Sequence, residues 1–186
     1  PRYDHVATAS HRPTGGCGDP SRTSWDDPAL VVIMATRGGT PSDHATAAHL
    51  LLIQAPVLVV AEIAMPVGPE ALGWSGAIRT PLHPSDPTQW LTAGLTVNPP
   101  CSHRAIGRRL LQAMLEAVGA LHGDAPHSVV NARNAPSLAL HHSLGFTTLE
   151  TGPCFAGIEF DGGVGVLLMR PKGSSASPRW VSTLRP

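Results

Sequence analysis

Pro99 and Pro100 end one apolar run and stand a few residues ahead of another, and the period changes between the two. In the run Trp90 to Val97, Leu91, Ala93, Leu95 and Val97 fall on one side, with Thr92, Gly94 and Thr96 on the other, as in a half-buried strand. Neither proline carries an amide donor, so no β-ladder continues through them. From about Arg104 to Leu121 the period becomes helical. Ile106, Leu110, Leu111, Met114, Leu115, Ala117 and Val118 fill one arc, and Arg108, Arg109, Gln112 and Glu116 fill the opposite one. A strand breaking into a loop at the head of a helix is a way to hold an anion. The leading amides of a helix have no partner within it, and its dipole is positive at that end.

The elements on either side follow from turn and cap signals. Leu30 to Thr36 is rich in β-branched residues and reads as a strand, followed by GGTPSD. Ser42 or Asp43 then caps a helix over Ala45 to Ile53, which Pro56 stops. Val57 to Ile63 and Leu72 to Arg79 read as a hairpin around Pro66, Gly68 and Pro69, and Pro81 to Pro87 as a loop. After the long helix, His127 to Ala132 is a short strand. Asn134 caps a second helix, with Pro136 in its first turn and Gly145 at its end. Phe146 to Arg170 reads as two strands joined at Asp161-Gly162-Gly163.

This order predicts an α/β (α+β) domain over residues 29–171, with a mixed, mostly antiparallel sheet. Residues 1–28 and 172–186 are rich in Gly, Pro, Ser, Thr and Arg without apolar periodicity, and read as a disordered extension and tail.

Composition excludes several classes of function. Thirteen Lys and Arg balance thirteen Asp and Glu, so no net field favours nucleic acid or an anionic membrane. The most apolar window, Leu50 to Val67, is interrupted by Gln54, Pro56, Glu62 and Pro66, whereas a membrane span needs about 20 apolar residues. The first apolar run follows Asp26 and Asp27, the wrong charge for a signal peptide, and the chain reads as cytoplasmic. Cys17, Cys101 and Cys154 are odd in number and form no CxxC, which argues against a disulfide framework or zinc site. The ten histidines are scattered apart from His141-His142, so no metal is expected.

Leu95 to Leu111 resembles, without a gap, the acetyl-CoA-binding motif of the GCN5-related N-acetyltransferases (GNAT family). That motif is a strand L-x-V-x-P, then R/Q-x-x-G-x-G/A, then a helix starting R-x-L-L. Here Leu95, Val97 and Pro99 match the strand, Arg104 is the basic residue inside the turn, and Ile106-Gly107 and Leu110-Leu111 match the helix start. Asn134 to Phe146, NAPSLALHHSLGF, is similar to the family's N-x-x-A-x-x-L-Y-x-x-x-GF helix, at a fitting distance. The β-rich run, TPSD and the following helix are similar to the family's first strand and helix. The resemblance covers roughly Val31 to Arg170.

The resemblance implies a sheet splayed at its central strands, with helices on both faces and acetyl-CoA in the splay. Amides of Leu95, Thr96 and Val97 would pair with the pantetheine arm. Ser102, His103, Arg104, Ala105, Ile106, Gly107 and Arg108 would surround the diphosphate, with Asn134 and Ser137 contributing from the second block. Two positions depart from the pattern. Ser102 replaces Arg or Gln, and Ala105 replaces the first Gly, which keeps the turn if its φ is negative.

His141 stands where the family often has a Tyr that protonates the departing thiolate. It either acts as that general acid or fills the Tyr's space as a packing residue. The strand Trp90 to Val97 has no carboxylate, so Glu62 is the first candidate base, ahead of Glu159 and Asp161. Cys101 reads as a loop cysteine, and Trp74 and Trp90 as sheet packing.

The implied activity is transfer of an acetyl group from acetyl-CoA to a primary amine, of a small molecule or a protein N-terminus, by direct attack. The alternative is a CoA-binding or regulatory domain without catalysis. Only one short helix fits between Asp43 and Pro56, where the family usually has two in the region after its first strand. The acceptor site is therefore expected to be open, or completed by a partner subunit in a homodimer.

Overall fold

The computed structural model describes residues 9–11, 27–36, 38, 40–66, 68–101, 105–121, 125–160 and 162–171. In chain order these form β1 (Ala9–His11), α1 (Asp27–Ala35), α2 (Pro41–Gln54), β2 (Val57–Met65), β3 (Gly68–Thr80) and β4 (Gln89–Val97). A 3₁₀ turn at Pro99–Cys101 leads to α3 (Ile106–Ala120), β5 (His127–Asn131), α4 (Ala135–Ser143) and β6 (Thr147–Gly152). The short strands β7 (Cys154–Phe155) and β8 (Ile158–Glu159), then β9 (Gly165–Met169), complete the chain. Seven strands form one sheet in the order β1-β2-β3-β4-β5-β9-β6. Every neighbouring pair in it is antiparallel except β4 and β5. The mixed, mostly antiparallel sheet expected from the sequence is present, with helices on both faces.

One face of the sheet carries α3 and α4. Ile106, Leu110, Leu111, Met114, Leu115 and Val118 of α3 bury the apolar arc read from the sequence, against Val57, Val59, Ala61, Leu72, Trp90, Val130 and Leu168 of the sheet. On the other face, α1 and α2 cover β2 and β3 through Leu30, Val31, Ile33 and Ala48, packed on Leu58, Val60 and Trp74. Beyond them on that face, Phe155 of β7 sits with Leu82, Leu91 and Leu167 in a third cluster. No helix of the described residues is long and apolar enough to cross a membrane.

Three expectations are corrected here. Leu30 to Thr36 is not a strand: residues up to Ala35 form α1, and the first strand is Ala9–His11, inside the stretch read as a disordered extension. The rest of 1–28, except the start of α1, and all of 172–186 lie outside the described residues. Val31, Val32 and Ile33 favour strand only by a few tenths of a kcal/mol each, whereas burying Leu30, Val31 and Ile33 on the sheet contributes roughly 1.5–3 kcal/mol apiece. Asp27-Pro28, an acidic residue and a proline in the first turn, was the available helix-start signal.

The second correction follows from the first. Two helices, not one, precede β2, so the premise for an acceptor side open or completed by a partner is removed. Third, the two final strands are not joined directly at 161–163. β6 and β9 pair, but the small β7–β8 hairpin lies between them, turning at Ala156 and Gly157, both with positive φ (51° and 74°). Buried Phe155 anchors that excursion, and Ala156 N donates to Leu82 O at 2.8 Å. Gly162 and Gly163 still turn the chain into β9, while Asp161 lies outside the described residues.

Gly94 of β4 is needed because the Trp74 ring occupies the space over it: a Cβ there would meet Trp74 Cη2 at 2.6 Å. Gly94→Ala should therefore cost about 1–3 kcal/mol in urea unfolding. Gly119, in the last turn of α3, has nothing within 4 Å of such a Cβ. Gly119→Ala should stabilise by up to about 1 kcal/mol. Equal effects of the two variants would contradict this packing.

Candidate functional site

β4 and β5 touch through one register pair, Leu91 opposite His127. The Thr92 hydroxyl donates to His127 O at 3.2 Å, and beyond that point the strands part. Two features hold the separation open. β4 carries a bulge, since Gly76 opposes Gly94 while Ala77 opposes Thr92, leaving Ala93 as the extra residue, and the Ser75 hydroxyl donates to Gly94 O at 3.0 Å. β5 is paired along its full length with β9 on its other side and cannot follow β4. The gap is a cleft of about 250 Å³, walled by Thr92 to Leu95, Ser128 to Asn131, Asn134, Ser137 and His141, with Ile158 and Phe160 from the β7–β8 hairpin region.

Among the expected coenzyme residues, Leu95 lines this cleft and Val97 packs beside it on the α3 core. Thr96 is buried, its hydroxyl without a hydrogen-bond partner in the structure. Past β4, Ala105 precedes α3 in the left-handed region, φ 59° and ψ 7°. The negative φ expected for an alanine here is not adopted, and the position keeps the conformation that suits glycine at a cost of roughly 1–2 kcal/mol. Among the described residues no side chain caps α3, and its first turn holds no acidic residue. The first intrahelical bond runs from Arg109 N to Ala105 O at 3.1 Å, so the amides of Ile106, Gly107 and Arg108 precede it.

A Cβ on Gly107 would stand 3.6 Å from both Val97 Cγ2 and Leu140 Cδ2, which places this helix end close against β4 and α4. Arg108 Nη1 donates to the Ser143 hydroxyl at 2.8 Å, which in turn donates to Leu140 O, tying α3 to α4. Ser102, His103 and Arg104 lie outside the described residues.

The opposite wall comes from β5 and α4. Asn134 caps α4 as expected, its side chain accepting from Ser137 N at 3.1 Å. His141 is 2% exposed, with Phe146 edge-on to its ring at 5.1 Å. Its Nδ1 lies 2.7 Å from Ser137 O, and a carbonyl only accepts, so Nδ1 carries a proton. Its Nε2 lies 2.9 Å from the Ser128 hydroxyl. Burial pushes the imidazole pKa down, outweighing the Ser137 carbonyl that raises it, while neighbouring His142 lowers it further. The neutral ring therefore presents a lone pair at Nε2 and accepts the Ser128 proton. A general acid would need a proton on that atom, and the resting tautomer has none there.

Among the described residues lining the cleft, His141 is the one titratable side chain. Glu62 is not brought to it: it lies on β2, separated from β4 by β3. Glu159 is exposed on β8. Cys101 is half-buried in the 3₁₀ turn and outside the cleft lining. Ser128 is the functional candidate that sequence reasoning passed over. Two residues before Val130 in HSVVN, it is the polar residue on the strand face turned to α4.

No family model matches the chain, and no curated protein matches it in sequence. Solved structures do match. The yncA protein of Salmonella typhimurium, assigned as an acetyltransferase and solved with its cofactor acetyl-CoA, superposes with a TM-score of 0.61 at 16% identity, over 83% of this chain and 94% of that one. The ribosomal-protein-alanine N-acetyltransferase of Brucella melitensis superposes with a TM-score of 0.61 at 20% identity, over 88% and 98%. A Desulfovibrio desulfuricans protein assigned to the GNAT family gives 0.61 at 14% identity, over 79% and 92%. The fold of this chain is that of the GCN5-related N-acetyltransferases.

Ala105→Gly should relieve the left-handed strain and raise stability by about 1 kcal/mol in urea unfolding, while an unchanged midpoint would contradict the positive φ. Burial also lowers the His127 pKa. With both folded values below the ordinary 6.5, the unfolded chain binds more protons once the pH drops past 6.5. The contribution of the two histidines is complete above that pH and is lost as pH falls through their folded pKa values. Urea midpoints taken at about pH 7 and about pH 5 should show the loss, and a His127→Asn, His141→Asn variant should show less of it.

Proposed function

We propose that this chain is an N-acetyltransferase that moves an acetyl group from acetyl-CoA to a primary amine by direct attack on the thioester. The observation that carries the reading is the parting of β4 from β5 beyond Leu91 into a cleft, with the first turn of α3 against Val97 at the end of β4 and no cap on it among the described residues. The donor set suits coenzyme A. The free edge of β4 around Leu95, Thr96 and Val97 offers main-chain groups to an amide-bearing arm, and the first turn of α3 offers amides and a positive dipole end to a diphosphate. The absence of an acidic residue in that turn leaves its field uncompensated.

Acetyl-CoA supplies the activated acyl group. The chain's own residues position it and manage protons: Ala105 to Arg108 bind the charged end, and Ser102, His103 and Arg104, which precede them in the sequence, are assigned to the same role. Asn134 and Ser137 set the α4 wall, and His141 is the titratable group at the reacting end. The Salmonella typhimurium structure was solved with acetyl-CoA, and the Brucella melitensis enzyme is named for a protein acceptor. A small-molecule amine and a protein N-terminus both remain within the proposed acceptor class.

A second reading, a domain that binds coenzyme A without transferring the acetyl group, is favoured by one observation: among the described residues no carboxylate lines the cleft. Calorimetric titration with acetyl-CoA tests both readings, and the absence of any binding heat would sink both. Release of free thiol across a panel of amines separates them, since only the transferase releases it. Gly107→Asp has room for its Cβ and adds a charge favourable to the helix but repulsive to a diphosphate. It should weaken acetyl-CoA binding by at least about tenfold, near 1.4 kcal/mol, with folding stability little changed. Wild-type affinity in that variant would remove the α3 terminus from the site.

A further inference from the structure

The proposed reaction needs a proton removed from the attacking nitrogen and a proton given to the leaving sulfur, yet among the described residues no carboxylate lines the cleft. What lines it is a hydroxyl and an imidazole already in contact. Ser128 Oγ lies 2.9 Å from His141 Nε2, and the far side of the ring is held by Ser137 O at 2.7 Å from Nδ1. Ser128 and His141 both line the cleft and are 3% and 2% exposed. Nδ1 has an acceptor as its strong partner, so it keeps its proton, and the Ser128 hydroxyl must point at Nε2. The remaining lone pairs of Ser128 Oγ are then available to receive a proton. This donor, relay and orienting carbonyl form the arrangement by which a hydroxyl is made basic.

We propose that Ser128 is a catalytic residue of this cleft, relaying protons between the reacting groups and His141 Nε2. One Ser–His pair would thereby serve as both the base and the acid of the transfer. The inference rests on the acetyltransferase reading. As the amine nitrogen bonds to the acetyl carbon, Ser128 Oγ accepts a proton from that nitrogen and passes its own to His141 Nε2. The ring becomes imidazolium, still held through Nδ1 by Ser137 O. As the carbon–sulfur bond breaks, Ser128 gives a proton to the sulfur and His141 returns one to Ser128. One proton has moved from nitrogen to sulfur, nothing is oxidised or reduced, and the pair ends as it began. His141 thus acts through Ser128 as base first and acid second, and neither Glu62 nor any other carboxylate is required.

Two measurements decide it. In unliganded protein, long-range ¹H–¹⁵N correlation of His141 should show a proton on Nδ1 and a hydrogen-bonded lone pair on Nε2, and Ser128→Ala should move the Nε2 shift toward an unbonded nitrogen. A proton resident on Nε2 in the wild type would overturn the relay even if the variant fails to fold. With an amine that the wild type acetylates, Ser128→Ala should lower kcat by roughly 10²-fold or more while calorimetric acetyl-CoA affinity stays within about twofold, and Ser128→Thr should restore part of the loss. A wild-type kcat in Ser128→Ala overturns the relay alone. An acetyl ester trapped on Ser128 when amine is withheld overturns it in favour of a covalent nucleophile. Failure of the wild type to bind acetyl-CoA overturns the transferase reading, and the relay with it.

Discussion

The rest of the molecule depends on where β4 and β5 stop touching. Parallel neighbours normally share an evenly spaced ladder, but here it amounts to the single pair Leu91 and His127. The bulge at Ala93, held by the Ser75 hydroxyl on Gly94 O, bends β4 away, while β9 holds β5 in register through five residue pairs. The open edge that results would be a liability on the outside of a sheet. In the middle of one, between two apolar layers, it becomes a sheltered slot with unpaired main-chain groups along a wall.

The layers on either side keep the slot in shape. α3 is pinned by a continuous arc of buried side chains, and at Gly107 its first turn lies beside Val97 and Leu140. The Arg108 to Ser143 hydrogen bond ties the same turn to α4, which carries His141. The left-handed Ala105 turns the chain from the strand into this helix, and the packing behind it outweighs its strain. The strand edge, the helix end and the imidazole are thus held around one cleft, each by its own contacts.

Much of this was legible in the residues. The strand Trp90 to Val97, the stop at Pro99-Pro100 and the arc from Ile106 to Val118 each reflect local geometry and stand as elements. The single apolar face read for the strand does not: the bulge at Ala93 leaves Leu91 with Phe155 on one side of the sheet and Leu95 and Val97 against α3 on the other. Asn134 caps α4 because a short acceptor side chain at that place satisfies an orphan amide in almost any context. The failures came where local preference was weak beside burial. Val31 to Ile33 favours a strand in isolation but lies in α1, because the outer face of β2 and β3 needed covering. The β7–β8 hairpin exists because Phe155 has a pocket between Leu82, Leu91 and Leu167, residues far from it in the chain.

His141 marks the boundary between the two kinds of information. Its place in a helix beside a capping Asn, and its standing where the family often has a Tyr, were visible in the sequence. That both its nitrogens are engaged, and that burial keeps it neutral, were not. The tautomer depends on Ser137 O one helical turn away and on Ser128, 13 residues away across the cleft. The sequence by itself determined the strand, the break and the helix, because periodicity, proline and caps act over a few residues. Only the tertiary structure decided how far β4 separates from β5, that Ala105 must be left-handed, and which way a proton can move between Ser128 and His141. Those depend on distances between groups that the chain alone leaves free.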